Sequence, residues 1–452
     1  MGYLFGLGYF GSTLYWIAES FKCVGYGNYG YLAVLCLVLY LSIFPALSCG
    51  FAKLLATSRL NLMILFSVFW VFFEYLRGIL FTGFPWNLIG YSSIGIPYFS
   101  QIADIFGIYG VSFFLILISV FFTARKTIPY AITLLVAICS YGCYVIHFGD
   151  YMEPNKKAVV SLVQPSISQI DKNDFKKMKE NINKHIGLSI RSPRKLKLYE
   201  GTRIIVWPEA AINTPIKSEG DILKYISTAI KKSQEIIITG CDRYTSAKKL
   251  YNSAFIFGHD AKVKQSYDKR HLLPFGEYIP EFLKFWQLKK LTEGIIDFSS
   301  GTLPRTIKLE GFAPFEIVIC YEIAFPGEVM DSNESFWILN ITNDSWFGRS
   351  DGPSQHMRMA RYRAIEEGRS VARCANNGIS CIIDCNGKVV KSLETDEIGT
   401  IDEVLPLRYR KTFYAKHKNK PIMILLSVLA IIPIVTRRRL SLRTSKLFPH
   451  ER

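Results

Sequence analysis

Six apolar runs constrain this chain more than any other feature, because each is close to the length that an α-helix needs to cross a lipid bilayer. Five of them lie in the N-terminal third of the chain, and the runs cover residues 3–19, 30–52, 60–80, 99–123, 128–148 and 421–436. A crossing helix needs about 20 predominantly apolar residues, and a soluble core rarely holds five such helices in succession. The pattern therefore predicts a transmembrane α-helical bundle of about five spans over 1–149, and a further span within 416–452.

The basic residues between these runs predict which side of the membrane each loop faces. If the N-terminus is cytoplasmic, the inner loops and the C-terminal tail carry most of the positive charge, at Lys53, Arg59, Arg125, Lys126 and the segment "RRRLSLR" from Arg437. Positive charge concentrates on the cytoplasmic side of membrane proteins. We therefore expect a basic cytoplasmic tail and an extracytoplasmic domain over 150–415. This topology accounts for much of the formal net charge of +17, and no aromatic-basic motif indicates a nucleic-acid partner.

Residues 150–415 show a different pattern, in which short β-rich runs alternate with polar helical stretches. The runs include "KAVVSLVQ", "RIIVWPE", "EIIITG", "SAFIFG", "FEIVICYE" and "SFWILNITN". Such alternation predicts an α/β domain. Sites in α/β folds commonly form at the carboxyl ends of strands.

Three residues with useful chemistry follow these strands. Glu209 comes directly after "RIIVWP", Cys320 after "FEIVI", and Lys269 lies in the loop "YDKRHLLPFGEYIP". A thiol of ordinary pKa is only a few per cent ionised at neutral pH, so a cysteine nucleophile needs a base or a cation. A carboxylate can accept the thiol proton, and an ammonium about 4 Å away would favour the thiolate by roughly three pKa units. His271 and His356 are rival bases, so the residues alone leave a Cys–His pair open.

The cysteines show no metal-binding pattern. Ten are present, but no C-x-x-C or H-E-x-x-H spacing occurs. Cys381 and Cys385 flank an apolar strand that runs into a turn at Asn386 and Gly387, which favours a packing role. No motif indicates a cofactor or a metal.

Several sequence blocks resemble known families. In chain order, "VWPEAAI", "YDKRHLLPFGEYIP" and "ICYE" resemble the signature blocks of the carbon-nitrogen hydrolase (nitrilase) superfamily. With "EYLRGILFTGFPWNLIGYS", "NITNDSWFG" and "QHMRMARYRAIEEGRSVARCANNGIS" added, the chain resembles the apolipoprotein N-acyltransferases of the bacterial inner membrane over nearly its whole length. This resemblance implies a nitrilase-like α-β-β-α sandwich that faces the periplasm and is joined to the transmembrane bundle. That family usually carries eight membrane helices, and Met1 falls where its third helix would begin.

The resemblance also implies a catalytic triad and a reaction. It makes Cys320 the nucleophile, Glu209 the general base, and Lys269 the cation that supports the thiolate and the oxyanion. A membrane phospholipid would donate an acyl chain to Cys320 as a thioester. The α-amino group of the diacylglyceryl-cysteine of a lipoprotein would then accept that chain. We expect a monomer.

Three further residues match the family's active site. The backbone N–H of Tyr321 follows the nucleophile directly and is a second oxyanion donor. Glu277 and Glu322 match further carboxylates, which would orient Lys269 and the substrate amine. A membrane-tethered nitrilase-type amidase that acts on a soluble amide would share these residues, so it remains the alternative.

A lipid substrate calls for an entry point near the membrane. The outer loop "GFPWNLIGYS" contains Phe84, Pro85, Trp86 and Tyr91, which we interpret either as an aromatic gate or as an interfacial aromatic belt. Trp86 and Tyr91 are the substrate-binding candidates of this loop.

Two further features complete the prediction for lipid entry. Glu74 and Arg77, three residues apart near the outer end of the third run, could pair with each other or bind a phospholipid headgroup. The segment "LKKLTEGIIDFSSG" over 288–301 is predicted to be a mobile lid over the site.

Overall fold

The computed structural model of the protein describes residues 1–190, 203–216, 221–230, 235–281, 284, 290–291 and 296–431. The basic tail from Arg437 and part of the predicted lid over 288–301 lie outside the described residues. The described helices, numbered along the chain, are α1 Gly2–Leu14, α2 Ile17–Lys22, α3 Tyr29–Leu41, α4 Ile43–Leu55, α5 Arg59–Ile79, α6 Pro97–Ser100, α7 Ala103–Phe121, α8 Ile128–Phe148, α9 Gln169–Asn173, α10 Met178–Ile190, α11 Asp221–Ile230, α12 Gly352–Glu367, α13 Phe413–His417 and α14 Lys420–Ile431.

The chain divides into two compact units. The membrane unit contains Met1–Tyr15, Val34–Gly149 and the described residues from Thr412 onward. The sandwich unit contains Trp16–Ala33 and Asp150–Lys411. Residues 16–33 therefore belong to the sandwich unit, whereas the sequence placed all of 1–149 in the bundle.

Contacts of α2 explain this correction. The indole Nε1 of Trp16 donates a hydrogen bond of 3.2 Å to Gln355, and the hydroxyl of Ser20 donates one of 2.9 Å to the carbonyl oxygen of Trp346. The ring of Trp16 also packs edge-on against Phe347, with 4.6 Å between the ring centroids. These partners all belong to the sandwich unit.

Four helices among the described residues are long and apolar enough to cross a membrane, namely Tyr29–Leu55, Arg59–Ile79, Ala103–Phe121 and Ile128–Phe148. They confirm the predicted transmembrane bundle, with one such helix fewer than the five predicted in this region. The predicted run over 3–19 is divided, since α1 ends at Leu14 and α2 begins at Ile17. At 1.5 Å per residue, α1 is about 20 Å long, which is shorter than the hydrocarbon core of about 30 Å.

The sandwich unit contains two β-sheets. Its strands are β1 Ala158–Gln164, β2 Arg203–Val206, β3 Ile212–Ile216, β4 Glu235–Tyr244, β5 Leu250–Phe257, β6 Val263–Asp268, β7 Thr306–Ile307, β8 Phe315–Ile319, β9 Trp337–Thr342, β10 Ser370–Ala375, β11 Ser380–Ile383, β12 Val389–Leu393 and β13 Gly399–Leu405. The first sheet has the order β13-β1-β2-β4-β5-β6, and β3 also pairs with β4. The second has the order β12-β11-β10-β9-β8-β7.

Each sheet has a parallel centre. In the first sheet β2 is parallel to both β1 and β4, and in the second β9 is parallel to both β8 and β10. Antiparallel strands complete both sheets on either side. The carboxyl ends of neighbouring parallel strands meet at one edge, which is where α/β folds place their sites.

The apolar core explains the strand sequences. Val160 and Leu162 of β1 pack between the two sheets together with residues such as Ile317 and Leu339 of the second sheet. Val163 of β1 points the other way, into a second cluster formed with α10 and α11. Every residue of β1 is buried, and strands buried on both faces have continuous apolar sequences rather than alternating ones.

Helices cover the outer face of both sheets. Helices α10 and α11 cover the first, and α12 covers the second, where Ala360 and Ala364 pack on Val318 and Ile338. The layers therefore run helix, sheet, sheet, helix, and the predicted α-β-β-α sandwich joined to a transmembrane bundle is confirmed.

Candidate active site

Glu209, Lys269 and Cys320 follow three different strands, β2, β6 and β8, but lie together at one end of the sandwich. The Nζ atom of Lys269 lies 3.4 Å from Oε1 of Glu209. These two side chains carry the charges that act most strongly on the thiol of Cys320. The structure thus brings the three predicted residues into one cluster.

The loop that carries Glu209 lies directly on β4. The N–H of Trp207 donates to Ile238, and the N–H of Gly240 donates to Pro208. A Cβ atom at position 240 would lie 2.5 Å from the carbonyl oxygen of Pro208 and 2.6 Å from Cα of Glu209, so only glycine fits there. Gly240 therefore lets the backbone of Glu209 approach the sheet.

The ammonium group of Lys269 lies between two carboxylates. It donates a hydrogen bond of 3.0 Å to Glu277 and lies near Glu209. The side-chain amide of Asn252 donates to both carboxylates, at 2.8 Å each. Burial alone would lower the pKa of Lys269, but Glu277 and then Glu209 raise it above its ordinary value, so Lys269 remains a cation. The predicted contact between Glu277 and Lys269 is present.

The second oxygen of each carboxylate binds the backbone. Oε2 of Glu209 accepts the N–H of Asn343 at 2.9 Å, and Oε2 of Glu277 accepts the N–H of Leu273 at 2.7 Å. Each carboxylate is thus held at both oxygens, which fixes the position of the lysine between them.

Cys320 lies at a sharp turn between β8 and a short 3₁₀ helix over Cys320–Ala324. Its φ angle is +51°, in the left-handed region that residues other than glycine seldom adopt. Such strain is often found at functional sites, where the surrounding structure imposes it. Directly after an extended strand, the turn brings the thiol to the strand end beside Glu209 and Lys269.

The pKa of the Cys320 thiol is raised above its ordinary value, since burial and then Glu209 oppose ionisation more than Lys269 favours it. The sequence predicted a cation that favours the thiolate and a carboxylate that can accept the thiol proton. Burial, which depends on the folded surroundings, decides between the two. The Cys320 thiol is therefore protonated at rest, and a nucleophilic role would require a base.

Glu322 holds the cysteine turn and the lysine loop together. Its Oε2 accepts the N–H of Ile319 at 2.7 Å, and its Oε1 accepts the N–H of Arg270 at 3.0 Å and the hydroxyl of Tyr267 at 2.7 Å. Arg305 pairs with the same oxygen at 3.0 Å. Glu322 was predicted to orient Lys269 and the substrate amine. Its backbone contacts lie just before Cys320 and just after Lys269.

Tyr321 is buried, and its ring packs edge-on against Phe325 with 5.0 Å between centroids. The imidazole of His271 stacks on Phe325 at 3.5 Å, and its Nδ1 lies 3.6 Å from Glu328. The oxyanion role of the Tyr321 N–H stays a prediction.

His356, the other candidate base, holds the backbone of Cys320. Its Nε2 lies 3.1 Å from the carbonyl oxygen of Cys320, and its Nδ1 lies 3.0 Å from Asp344. Because a carbonyl oxygen can only accept, Nε2 carries a proton. Arg373 pairs with Asp344 at 2.6 Å, and all three side chains are fully buried. Burial and then Arg373 lower the pKa of His356 below its ordinary value.

Trp86 and Tyr91 are buried inside the membrane unit, with exposed fractions of 2% and 6%. An aromatic gate would require accessible rings, so the two side chains do not form one in this structure. Phe81, at 64%, is exposed in the same region. Sequence alone does not distinguish an aromatic ring at the membrane interface from one packed between helices.

Arg77 and Glu74 hold the outer loop of the membrane unit. Arg77 donates hydrogen bonds of 2.7 Å to the carbonyl oxygens of Phe84 and Trp86. Glu74 accepts the N–H of Ile89 at 2.8 Å. Both predicted substrate-binding side chains thus bind loop backbone, and headgroup binding by them stays a prediction.

The sequence analysis did not identify Asn252, Gly240 or Arg373 as site residues. Asn252 follows the first residues of β5, in "YNSA", where it stands beside the polar Ser253. Asp344 follows β9, and its link to His356 depends on the packing of α12.

This fold and this site define a class of protein. The family model described as "Carbon-nitrogen hydrolase" matches residues 159–412, more than half of the chain. A second family model, described as "Apolipoprotein N-acyltransferase N-terminal domain", matches residues 1–121. The sandwich unit is therefore a carbon-nitrogen hydrolase domain, and the chain joins it to a second, membrane-associated domain.

Relatives specify the family further. The apolipoprotein N-acyltransferase of Brucella melitensis biotype 1 is 33% identical and aligns with 97% of this chain and 86% of its own length. That of Bradyrhizobium diazoefficiens is 35% identical and aligns with 98% of this chain and 86% of its own length. The chain belongs to the apolipoprotein N-acyltransferase family, which confirms the resemblance seen in the sequence.

A solved structure was also found, that of Saccharomyces cerevisiae Nit3, a member of branch 10 of the nitrilase superfamily. It is 21% identical, covers 59% of this chain and 95% of its own chain, and has a TM-score of 0.42.

Proposed function

We propose that the protein transfers an acyl chain from a membrane phospholipid to the α-amino group of a diacylglyceryl-modified cysteine at the N-terminus of a lipoprotein, with Cys320, Glu209 and Lys269 as the catalytic triad. The observation that carries this proposal is the ammonium of Lys269, held between Glu209 and Glu277 beside the half-buried Cys320. The family name of its relatives supports the choice of acceptor.

The first half-reaction loads the enzyme. Glu209 takes the proton from the thiol of Cys320, and the sulfur attacks the ester carbonyl of the phospholipid. Lys269 and the N–H of Tyr321 stabilise the oxyanion. The carbon–oxygen bond then breaks, the leaving oxygen receives the proton from Glu209, and a lysophospholipid departs from a Cys320 thioester.

The raised pKa of the thiol supports this assignment of roles. Because the thiol is protonated at rest, a base must act at the moment of attack. Glu209 is held by Asn252 and Asn343 and lies beside Lys269, so its position is fixed. The second half-reaction reverses these roles, as the lipoprotein amine attacks the thioester and the thiol is regenerated.

Lipid physics explains why such a domain is joined to membrane helices. Burial of an acyl chain contributes about 0.8 kcal/mol per methylene, so extraction of a sixteen-carbon chain costs roughly 12 kcal/mol. The acyl chain therefore stays near the bilayer, and the enzyme must meet it there. We extend the proposal to an inner-membrane enzyme that acts as a monomer with its sandwich unit in the periplasm.

The alternative, a membrane-tethered amidase for a soluble amide, is not favoured. The match extends through the N-terminal domain, residues 1–121, and the relatives align over nearly the whole chain. An amidase that acts on a soluble amide would not need this membrane-associated N-terminal domain.

Intact-mass analysis of the protein purified from bacterial membranes tests the proposal. We expect an added fatty-acyl mass that hydroxylamine removes, that Cys320→Ala lacks, and that Cys374→Ala retains. Cys374 is the matched control, because it is buried in the core of the same domain and its thiol donates to the carbonyl oxygens of Val163 and Val206. Absence of the adduct, together with hydrolysis of small amides, would establish the amidase instead.

A further inference from the structure

We propose that Asp242 is the carboxylate that binds the α-ammonium group of the acceptor and removes its first proton, leaving Glu209 to serve the thiol. The inference rests on the proposed function and adds a fourth acidic residue to the active site.

Strand register places Asp242 at the site. Asp242 of β4 lies directly opposite Asn252 of β5 in an antiparallel pair. Side chains of such a pair lie on the same face of the sheet, with Cβ atoms about 5 Å apart. The amide of Asn252 binds both Glu209 and Glu277 at 2.8 Å. The carboxylate of Asp242 is therefore a neighbour of the catalytic carboxylates.

Neighbouring positions confirm which face this is. Arg243, the next residue of β4, points to the opposite face, where it pairs with Asp268 and stacks on Tyr251. Ala254, two residues beyond Asn252 and on its face of β5, lies in the core between the two sheets. The Asp242 side chain thus points to the inner face of the sandwich, at the end where the site lies.

Asp242 has acceptor capacity that the other carboxylates lack. Glu209 and Glu277 each accept hydrogen bonds at both oxygens, and Glu322 does the same. The Asp242 side chain accepts no hydrogen bond and forms no ion pair with any residue that the structure describes. Glu209 and Glu277 are 7% and 5% exposed, whereas Asp242 is only partly buried. An incoming ammonium group therefore finds free oxygens at Asp242.

The charges around Asp242 suit a proton exchange near neutral pH. Glu277, Lys290, Glu209 and Lys172 are the charged groups that act on it. Burial and then Glu277 raise the pKa of Asp242 to about 7. A peptide α-amino group has a pKa of about 7.7–8.0, so the two are closely matched. An aspartate of ordinary pKa, about 3.9, would hold the proton roughly a thousand-fold less well.

The second half-reaction conserves both atoms and charge. The ammonium group gives one proton to Asp242, and the neutral amine attacks the thioester carbonyl carbon. As the carbon–nitrogen bond forms, the second proton passes to Glu209. The carbon–sulfur bond breaks, the sulfur of Cys320 takes that proton from Glu209, and Asp242 releases its proton to water through its exposed side. The products are an amide, a thiol and one proton.

The test separates the two half-reactions in the full chain, purified in detergent micelles. The donor is dipalmitoyl-phosphatidylethanolamine, and the acceptor is a synthetic S-diacylglyceryl-cysteinyl peptide with a free α-amino group. For Asp242→Asn we expect thioester formation within about twofold of wild type, but transfer to the peptide at least fifty-fold slower at pH 7. The pH at which transfer reaches half of its maximal rate should rise by about one pH unit. Asp221→Asn, a fully exposed aspartate of the same domain, is the matched control.

Hydroxylamine, which is uncharged at neutral pH, provides a second readout. It should cleave the thioester equally fast in wild type and in Asp242→Asn, since it needs no ammonium site. Transfer at the wild-type rate and pH profile, or equal loss of both half-reactions, would overturn the inference. The same measurements on Asp242→Ser decide the question if the Asn variant does not fold. Failure of the wild-type enzyme to form a thioester would instead reject the proposed function.

Discussion

The Nε2 atom of His356 lies 3.1 Å from the carbonyl oxygen of Cys320, so this histidine holds the backbone of that residue and not its thiol. The contact lies at a strained point of the backbone, because Cys320 has a φ of +51°, in the left-handed region. A residue other than glycine in a sparsely populated backbone region costs about 1–3 kcal/mol and persists only where its surroundings impose it. His356, fixed in turn by Asp344 and Arg373, supplies that support.

Replacement of His356 by Leu should therefore slow thioester formation about ten- to a hundred-fold, because the cysteine turn loses its partner. His356→Gln, whose amide can donate to the same carbonyl, should retain more of the rate. Single-turnover thioester formation, followed by intact mass, measures both. His259→Gln, at an exposed turn, is the control, and an equally large loss in that variant would contradict the assignment.

Asp344 should make stability depend on acid pH. It is fully buried, and although burial opposes its ionisation, Arg373 and then His356 lower its pKa to about 2. A lowered folded-state pKa stabilises the protein above the unfolded value of about 3.9, and that contribution, about 2 kcal/mol, is lost as the pH falls through about 2. Asp344→Asn should cost about 3–5 kcal/mol at pH 7, because Arg373 loses its counter-charge.

Apparent melting temperatures in detergent between pH 7 and pH 2 test this prediction. The difference between wild type and Asp344→Asn should narrow below pH 4. A constant difference over that range would show that the ionised form of Asp344 is not what stabilises the fold. Asp221→Asn should melt like wild type throughout.

Glu209→Gln should have opposite effects on two properties of Cys320. Acyl transfer should fall at least a hundred-fold, because the base is lost. Alkylation of the thiol by iodoacetamide at pH 8 should become faster, since the carboxylate that raises the thiol pKa is gone. Lys269→Met should slow both reactions. Slower alkylation in Glu209→Gln would mean that this carboxylate does not oppose ionisation of the thiol.

Glu322→Gln should impair both the site and the fold. The amide places an N–H donor at one of the two oxygen positions where Glu322 now accepts, from the N–H of Ile319 at Oε2 or from the N–H of Arg270 at Oε1. A buried donor left without a partner costs about 1–3 kcal/mol. We expect thioester formation to fall at least ten-fold and the melting temperature to drop. Glu328→Gln, on the same segment with a side chain 52% exposed, should stay within about twofold of wild type in the same assays.

Gly240→Ala should displace Glu209, because the added Cβ would lie 2.5 Å from the carbonyl oxygen of Pro208. We expect a large loss of thioester formation. Gly187→Ala is the matched control, since nothing lies within 4 Å of its Cβ position and alanine favours the helix by about 0.5–1 kcal/mol. An active Gly240→Ala enzyme would show that the loop can move away from β4 without harm.

Glu209, Lys269 and Cys320 could be proposed as a triad from the sequence, because each follows a recognisable strand within a family block. That proposal needed no long-range information. Their electrostatics did require it, since the raised pKa of Cys320 depends on burial among segments far apart in the chain. A nearby lysine can be proposed from the sequence as a group that lowers the thiol pKa. The loss of water around the thiol, which raises that pKa, can be seen only in the folded structure.

The lipid-gate residues show a second limit. Trp86 and Tyr91 occur in an apolar, aromatic loop, a composition that suits both an interfacial belt and a packed interior. The structure buries both side chains inside the membrane unit, in the loop that Arg77 holds through the carbonyl oxygen of Trp86. Which of the two environments applies is decided by tertiary packing and leaves no trace in the composition.

The assignment of residues 16–33 to the sandwich unit has a consequence for how the gene can be divided. The chain passes between the two units at residues 15–16, 33–34, 149–150 and 411–412. A fragment that encodes 150–411 would lack the helix whose Trp16 and Ser20 bind Gln355 and Trp346, close to the strand end that holds Glu209. Segments of the two units alternate along the gene. A single cut, fusion or recombination event therefore cannot transfer the complete sandwich unit to a different membrane domain.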